Sequence, residues 1–450
     1  MSSKVLFNRF KNSDFYRVFN FKDEKARGRS LVMGHVLSSG IGTTLTSGVF
    51  YTSFLTMNGI NIVDAGILTF IPYIAQLLFI FSPRLLQWFP RRRWILFTLR
   101  ILYHLLFILG ITVMPSFVHD PDARMNWFVG LVFAAYIVNS LGGTGYVEWH
   151  ANFIPEDVRA SYFSYSATIS NFCGSAVAIL SSIIADSLAD SPHAGTVIVV
   201  LRYVGLTFAL MDTLILLLPK EYPYPVSTPP KISNLFILPF KQKKFLLTVG
   251  FCFLFQLFSS LPTGVLDYHL INTVKVSYSY IYAINISWCL FLMALTPMWR
   301  KLLRRKGHVH TFIIAVLMDV PALLLYAFVN HGNYLVVMTI VRLIQHVTSV
   351  GSTVSYSNFV YMNMPSEDRS NYFTFHSLGI SFSSFLGISI GTWFVSVMGD
   401  SVLSVFGHSL TAVPLLLLVR SVANILMALL LLKLASQIMP DVDRRMLGKK

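Results

Sequence analysis

The sequence predicts an all-α polytopic membrane protein, with twelve transmembrane helices in two parallel six-helix halves. Three observations predict it: a composition suited to lipid, basic residues that alternate sides of a membrane, and an internal repeat. Of the 450 residues, 54% are apolar and 12% are charged, against about 25% charged in a typical soluble domain. Mean hydropathy is +0.63, and the aromatic share is 14%. So few charges cannot cover a soluble surface. An ordinary soluble enzyme, a disordered chain and a disulfide scaffold are thereby excluded. The three cysteines, Cys173, Cys252 and Cys289, lie in apolar stretches without metal-ligand spacing and read as packing residues.

A helix needs about 20 mostly apolar residues to cross the hydrocarbon core. Twelve stretches qualify: 30–56, 63–88, 94–116, 127–150, 163–188, 196–218, 245–270, 278–299, 309–330, 334–360, 371–398 and 411–434. The first, fourth, seventh, tenth and eleventh are diluted by Ser, Thr, Gly and Asn. Such dilution suits helices that line a wet cavity, and it equally suits close helix contacts.

With twelve crossings, both termini share one side. Of the 35 Lys and Arg, 29 fall in the terminal tails, in loops on that side or at the span ends that face it. The opposite loops hold only Arg124 and Lys275, and four more basic residues lie within spans. The positive-inside rule therefore makes both termini cytoplasmic. No cleavable signal peptide is expected before the first span, because the first 29 residues are too polar for an h-region. That tail carries Phe7, Phe10, Phe15, Phe19 and Phe21 among basic residues. It suits either the membrane surface or a docking arm on the bundle.

The chain repeats itself at a separation of roughly 210–218 residues. Pro155, Arg159, Tyr162 and Phe163 answer Pro365, Arg369, Tyr372 and Phe373. Upstream, Tyr146 and Trp149 answer Tyr356 and Phe359. Ser47-Gly48-Val49 answers Thr263-Gly264-Val265, and Arg202 with Val204 answers Arg420 with Val422. These matches fall in spans 1/7, 4/10 and 6/12, in order. They predict a tail at 1–29, a half at 30–219, a linker at 220–244, a second half at 245–435 and a tail at 436–450. The linker holds Pro223, Pro225, Pro229, Pro230 and Pro239, so it reads as a stiff segment that cannot continue a helix.

The cytoplasmic signature after spans four and ten, Pro155-Glu156-…-Arg159 and Pro365-…-Arg369, is joined by a basic loop, Ser82-Pro83-Arg84-…-Arg91-Arg92-Arg93. On these residues the chain resembles a major facilitator superfamily transporter. The superfamily's loop pattern is G-x-x-x-D-R/K-x-G-R/K-R/K; its basic residues are present here and its Gly and Asp are not. The resemblance implies that spans 1, 4, 7 and 10 surround a central cavity. Spans 2, 5, 8 and 11 would line its sides, with 3, 6, 9 and 12 at the periphery. It implies further that Glu148, Arg159, Arg84 and Arg369 belong to a charge network that shuts the cytoplasmic side.

Polar groups at membrane depth need water or a partner. Arg342, followed by Gln345 and His346, sits near the middle of span ten. A guanidinium there suits a carboxylate or phosphate, so it reads as an anchor for an anionic or zwitterionic solute. Ser39, Thr43, Tyr51, Asn139, Asn171, Gln256, Ser260, Tyr268, Asn285 and His376 complete the candidate substrate-binding set. Asp267, Asp319 and Asp212 are candidates for ion coupling, the last two also for structural pairing. Arg202 and Arg420 are expected to snorkel toward the outer interface.

No G-x-x-x-x-G-K-[ST], HExxH or paired CxxC occurs. No cofactor is expected, and neither nucleic acid nor enzymatic chemistry. The expectation is a monomeric secondary transporter in the plasma membrane, moving a small solute by alternating access, with the proton as coupling ion. A lipid flippase, a transporter-like sensor and a polytopic lipid-modifying enzyme are the alternatives.

Overall fold

The computed structural model describes residues 14–20, 23–154, 156–222, 232–365, 367, 369–405 and 407–438. These residues are predominantly helical. Ten helices or helix runs are long and apolar enough to cross a membrane.

In chain order the helices of the first part are α1 (Asp14–Phe19), α2 (Glu24–Thr46), α3 (Gly48–Met57), α4 (Ile62–Gln76), α5 (Ser82–Gln87), α6 (Arg93–His104), α7 (Ile111–Val113), α8 (Pro121–Phe153), α9 (Glu156–Ser187) and α10 (Ala194–Ile215). There follow α11 (Ile232–Lys241), α12 (Lys243–Ser260), α13 (Thr263–Tyr268), α14 (Tyr278–Tyr326), α15 (Tyr334–Tyr356), α16 (Arg369–Met398) and α17 (Ala412–Ile438). A short hairpin, β1 (Leu403–Val405) and β2 (His408–Leu410), precedes α17.

Local chemistry sets the starts and breaks. Asp23 caps α2 by accepting from the Ala26 amide at 3.2 Å. Asn61 caps α4, accepting from Val63 and Asp64 at 2.9 and 3.0 Å. Such caps satisfy amides that the first turn leaves free. Gly48 opens α3 with φ +57°, a conformation that favours glycine, and so breaks the first span at Ser47–Gly48. The matching Thr263-Gly264 opens α13, where the seventh span also breaks. Thus the repeat seen in the sequence coincides with a helix break in both halves.

α14 runs for 49 residues, but Gly307 inside it has φ 74° and ψ 173°, which no helix contains. The basic stretch Arg300–Lys306 lies just before this break.

The chain forms two compact units. One comprises Met1–Gly59 with Leu78–Pro229, the other Ile60–Leu77 with Pro230–Lys450. In the first, α2 packs on α9 and α10, and α6 on α8. Its core includes Val32, Leu86, Leu96, Trp149, Phe153 and Leu216. The tail residues in α1 dock here: Val18 is fully buried, and Phe15 and Phe19 meet Tyr165 and Tyr162. Arg29 holds that arm by donating to the Val18 carbonyl at 2.8 Å. Phe7, Phe10 and Phe21 lie outside the described residues.

In the second unit, α12 packs on α16 and α17, and α14 on α15 and α17. A Cβ added to Gly387 or Gly391 would strike the Leu257 or Leu261 carbonyl, so α16 crosses α12 at backbone contact. Small residues at such crossings allow dense packing without lipid between helices. α4 belongs to this unit because Gly66 lies against Thr392, Phe70 meets Phe385 at 5.3 Å, and Ser381 donates to Gln76 at 3.1 Å.

One expectation about the linker is corrected. Residues 232–241 form helix α11, within a segment whose prolines predict no continuing helix. Those prolines cluster before Ile232, while the run Ile232–Leu238 is free of them. Apolar side chains there find a partner: Phe236 and Phe240 meet Phe375 of α16. Pro223, Pro225, Pro229 and Pro230 lie outside the described residues.

Candidate functional site

The second unit contains a cavity of about 440 Å³. Asn285 and Trp288 come to it from the first part of α14, and Asp319 from beyond the Gly307 break. Arg342, Gln345 and His346 come from α15, and Arg420 from α17. One face of α15 therefore supplies residues at i, i+3 and i+4, the spacing that places side chains together. Arg342 donates to the Tyr326 hydroxyl at 3.0 Å and to Gln345 Oε1 at 3.4 Å, and it lies 5.2 Å from the Tyr326 ring. His346 Nε2 bonds the Ile284 carbonyl at 3.0 Å, fixing its ring near Trp288. Asp319 accepts from Thr348 at 3.1 Å.

The first unit holds a different polar centre. Asp212 of α10 is fully buried. Arg100 Nε donates to its Oδ2 at 2.8 Å, and His104 Nε2 meets the same oxygen at 3.1 Å. His35 Nδ1 pairs with Oδ1. Arg100 also donates to Ser39 at 2.7 Å and lies over the Tyr146 ring at 5.4 Å. Three helices, α2, α6 and α10, are thus pinned through one carboxylate. Buried charge persists only when paired and hydrogen-bonded in this way.

The remaining candidates divide clearly. Gln256 and Ser260 are bonded to each other at 3.0 Å, and Gln256 also donates to Ser384 at 2.9 Å. They tie α12 to α16 and do not line the cavity. Asp267 lies in the field of Arg342, yet among the described residues it forms no ion pair. Tyr268 and Asn139 are half-buried, while Thr43 and Asn171 are exposed. Tyr51 packs against the Arg202 guanidinium at 5.6 Å. His376 Nε2 is buried without a partner. Of the gate candidates, Arg84 and Arg369 are exposed, and the side chains of Glu148 and Arg159 lie outside the described residues.

Two expectations fail. Arg202 does not snorkel: it is fully buried. Its Nε donates to Thr112 Oγ1 at 2.7 Å, Nη1 to the Thr46 carbonyl at 3.3 Å, and Nη2 to the Phe107 and Ile108 carbonyls at 3.2 and 3.4 Å. The last two belong to a π-helical turn, Leu105–Gly110, where the usual i→i−4 ladder is interrupted. Arg420 does not snorkel either, because it turns into the cavity wall.

The sequence reading missed Arg100, His104, Trp288 and Arg420 as site residues. A signal existed for the first two. Arg100 and His104, and likewise His35 and Ser39, are spaced i, i+4 on their respective spans, so each pair shares a helix face.

No protein-family model matches the chain, and no curated protein matches it. Solved structures do. The nucleoside transporter NupG (a point mutant) superposes with a TM-score of 0.66 at 13% identity, over 90% of this chain and 99% of that one. This is the major facilitator fold. A bacterial homologue of the iron transporter ferroportin, in an inward-facing state, gives a TM-score of 0.64 at 14% identity, covering 91% and 99%. The D-xylose-proton symporter gives 0.61 at 14% identity, covering 92% and 98%. The likeness shows that the chain has the fold of these transporters.

Proposed function

We propose that the chain is a secondary transporter that moves a small solute by alternating access, coupled to protons. One observation carries the reading. Inside a helical unit apolar enough for lipid, two guanidinium groups, a carboxylate, two amides and an imidazole converge on one cavity. Intramembrane ionisable groups are costly unless they serve a site or a pair. Similarity to a nucleoside transporter, a D-xylose-proton symporter and a bacterial homologue of an iron transporter supports the same conclusion.

The proposal includes twelve crossings in two six-helix halves. Ten runs are apolar enough by hydropathy. α2 with α3 supplies another, too polar for that criterion. α14 supplies two, since 49 residues extend about 74 Å, more than twice the ~30 Å hydrocarbon core. Both termini are assigned to the cytoplasm by the distribution of Lys and Arg.

Coupling is assigned to the Asp212 centre of the first unit. There Arg100 and two imidazoles share one carboxylate, so a change in the charge of that cluster alters how α2, α6 and α10 are held together. Alternation also requires the contact of α4 with α16 at Gly66 and Thr392 to open and reform.

The test begins with thermal unfolding of the purified protein against metabolites, since a ligand raises apparent stability by mass action. The stabilising solute is then followed into proteoliposomes. Arg342→Ala should cut uptake about 100-fold or more, as expected for a loss near 3 kcal/mol on truncating a buried charge contact, with folding retained. Concentrative uptake should also stop when the pH gradient is collapsed. Undiminished uptake by Arg342→Ala removes the cavity from the reading, and concentrative uptake without a proton gradient removes the coupling.

A further inference from the structure

The repeat pairs Arg202 with Arg420 at a constant offset, so the two half-chains place a guanidinium at corresponding points of their last helices. Their surroundings differ in one respect that matters. In the first unit every arm of Arg202 is used by protein oxygens, and the Phe54 ring lies 4.5 Å from its carbon. That guanidinium is sealed. In the second unit Arg420 lines the cavity, and its buried Nε has no hydrogen-bond partner among the described residues. Arg342, across the same cavity, also has a buried Nε without a partner. Its remaining contacts are neutral oxygens, Tyr326 Oη and Gln345 Oε1.

The residues that line the cavity carry two positive charges and one negative, that of Asp319, while Asp267 lies outside the lining in the field of Arg342. Among the described residues, Asp319 makes no ion pair with either arginine, and one of its oxygens is engaged by Thr348. A buried guanidinium lacking an acceptor loses its hydration without return. A neutral solute would supply acceptors alone. An anion supplies acceptors together with a charge that attracts both guanidinium groups. The planar donor fork of arginine matches carboxylate and phosphate oxygens better than a point charge does.

We propose that Arg342 and Arg420 together clamp the carboxylate or phosphate group of a small organic anion in this cavity. Trp288 offers an aromatic wall for the rest of the molecule. At about 440 Å³ the space lies toward the lower end of ligand cavities, which span roughly 300–1,000 Å³. This inference rests on the transporter reading and deepens it by naming the solute class.

The test uses the purified full-length chain. Thermal unfolding is followed with inorganic phosphate, phenyl phosphate, succinate and benzoate, against sodium chloride at matched ionic strength and glucose as a neutral control. At least one anion should raise the midpoint beyond chloride. Stabilisation by the phosphates alone assigns a phosphate ligand, and by the carboxylates alone a carboxylate. Arg420→Gln should weaken the apparent affinity about 30-fold or more, the scale expected for truncating one side of a buried charge contact. Arg420→Lys, which keeps the charge and loses the fork, should fall between and is decisive if Arg420→Gln does not fold. The clamp is overturned if no anion exceeds chloride, or if the anion effect survives in both Arg420 variants. Stabilisation by glucose alone, lost in Arg342→Ala, overturns the clamp and leaves the transporter reading standing. Anion binding without any flux in proteoliposomes does the reverse.

Discussion

Asp212→Ala should destabilise the protein by about 3–5 kcal/mol, the range for removing one partner of a buried charge pair. The carboxylate is fully buried and holds Arg100 at 2.8 Å and His104 at 3.1 Å, with His35 on its other oxygen. Alanine leaves the Arg100 guanidinium with Ser39 as its remaining side-chain acceptor. It also strips the carboxylate partner from the two imidazoles. The structure separates loss of charge from loss of contact. Asp212→Asn keeps the shape and some acceptor capacity, so its cost should be smaller. Asp212→Asn combined with Arg100→Gln removes both charges and should recover much of the loss. The measurement is the unfolding midpoint of the purified protein in detergent for these variants. An Asp212→Ala midpoint equal to wild type would mean that the centre is hydrated and structurally idle.

Arg202→Met should also destabilise the protein, by a different route. Methionine fills part of the volume and removes every donor. The Thr46 and Phe107 carbonyls then lose the guanidinium, while the Ile108 carbonyl keeps the Thr112 hydroxyl and the Ile111 amide as donors. Each buried polar group left without a partner costs about 1–3 kcal/mol, so the two lost contacts should together cost about 2 kcal/mol or more. The Leu105–Gly110 π turn should loosen with them, because Arg202 holds two of its carbonyls, those of Phe107 and Ile108. Hydrogen exchange across residues 105–113 reports this directly. Faster exchange confined to that segment supports the account, and unchanged exchange contradicts it. A snorkelling arginine, by contrast, could be replaced at little cost.

Much of this architecture is written in the sequence at low resolution. Lipid requires long apolar runs, and ten helical runs among the described residues are long and apolar enough to cross a membrane, as the residues alone lead one to expect of a polytopic chain. Ser47-Gly48-Val49 and Thr263-Gly264-Val265, legible as a repeat, coincide with helix breaks that the sequence reading did not predict; at the first, Gly48 adopts a positive φ that other residues resist. Arg342, Gln345, His346 and Asn285 are all legible, as polar groups at membrane depth.

The features that stay hidden depend on long-range contact. Arg202 and Arg420 look alike in sequence, each a lone arginine in an apolar helix. One is sealed by backbone carbonyls of a π turn that carries no side-chain signature, and the other opens on a cavity. Gln256 and Ser260 look like cavity residues, yet their polarity is consumed by Ser384 of a neighbouring helix and by each other. Asp212 reads as peripheral because its partners, Arg100 and His104, come from another span. In each case the residue type is informative and the partner is supplied by the fold.

The central claim is that the Arg342–Arg420 cavity is reached in turn from the two sides of the membrane. Ser349 lines that cavity. With Cys173, Cys252 and Cys289 replaced by alanine, Ser349→Cys can be offered to a membrane-impermeant thiol reagent in right-side-out and inside-out vesicles. The account predicts modification from both sides, with the stabilising anion slowing it in each. Modification from one side only, with or without the anion, or from neither, would contradict it.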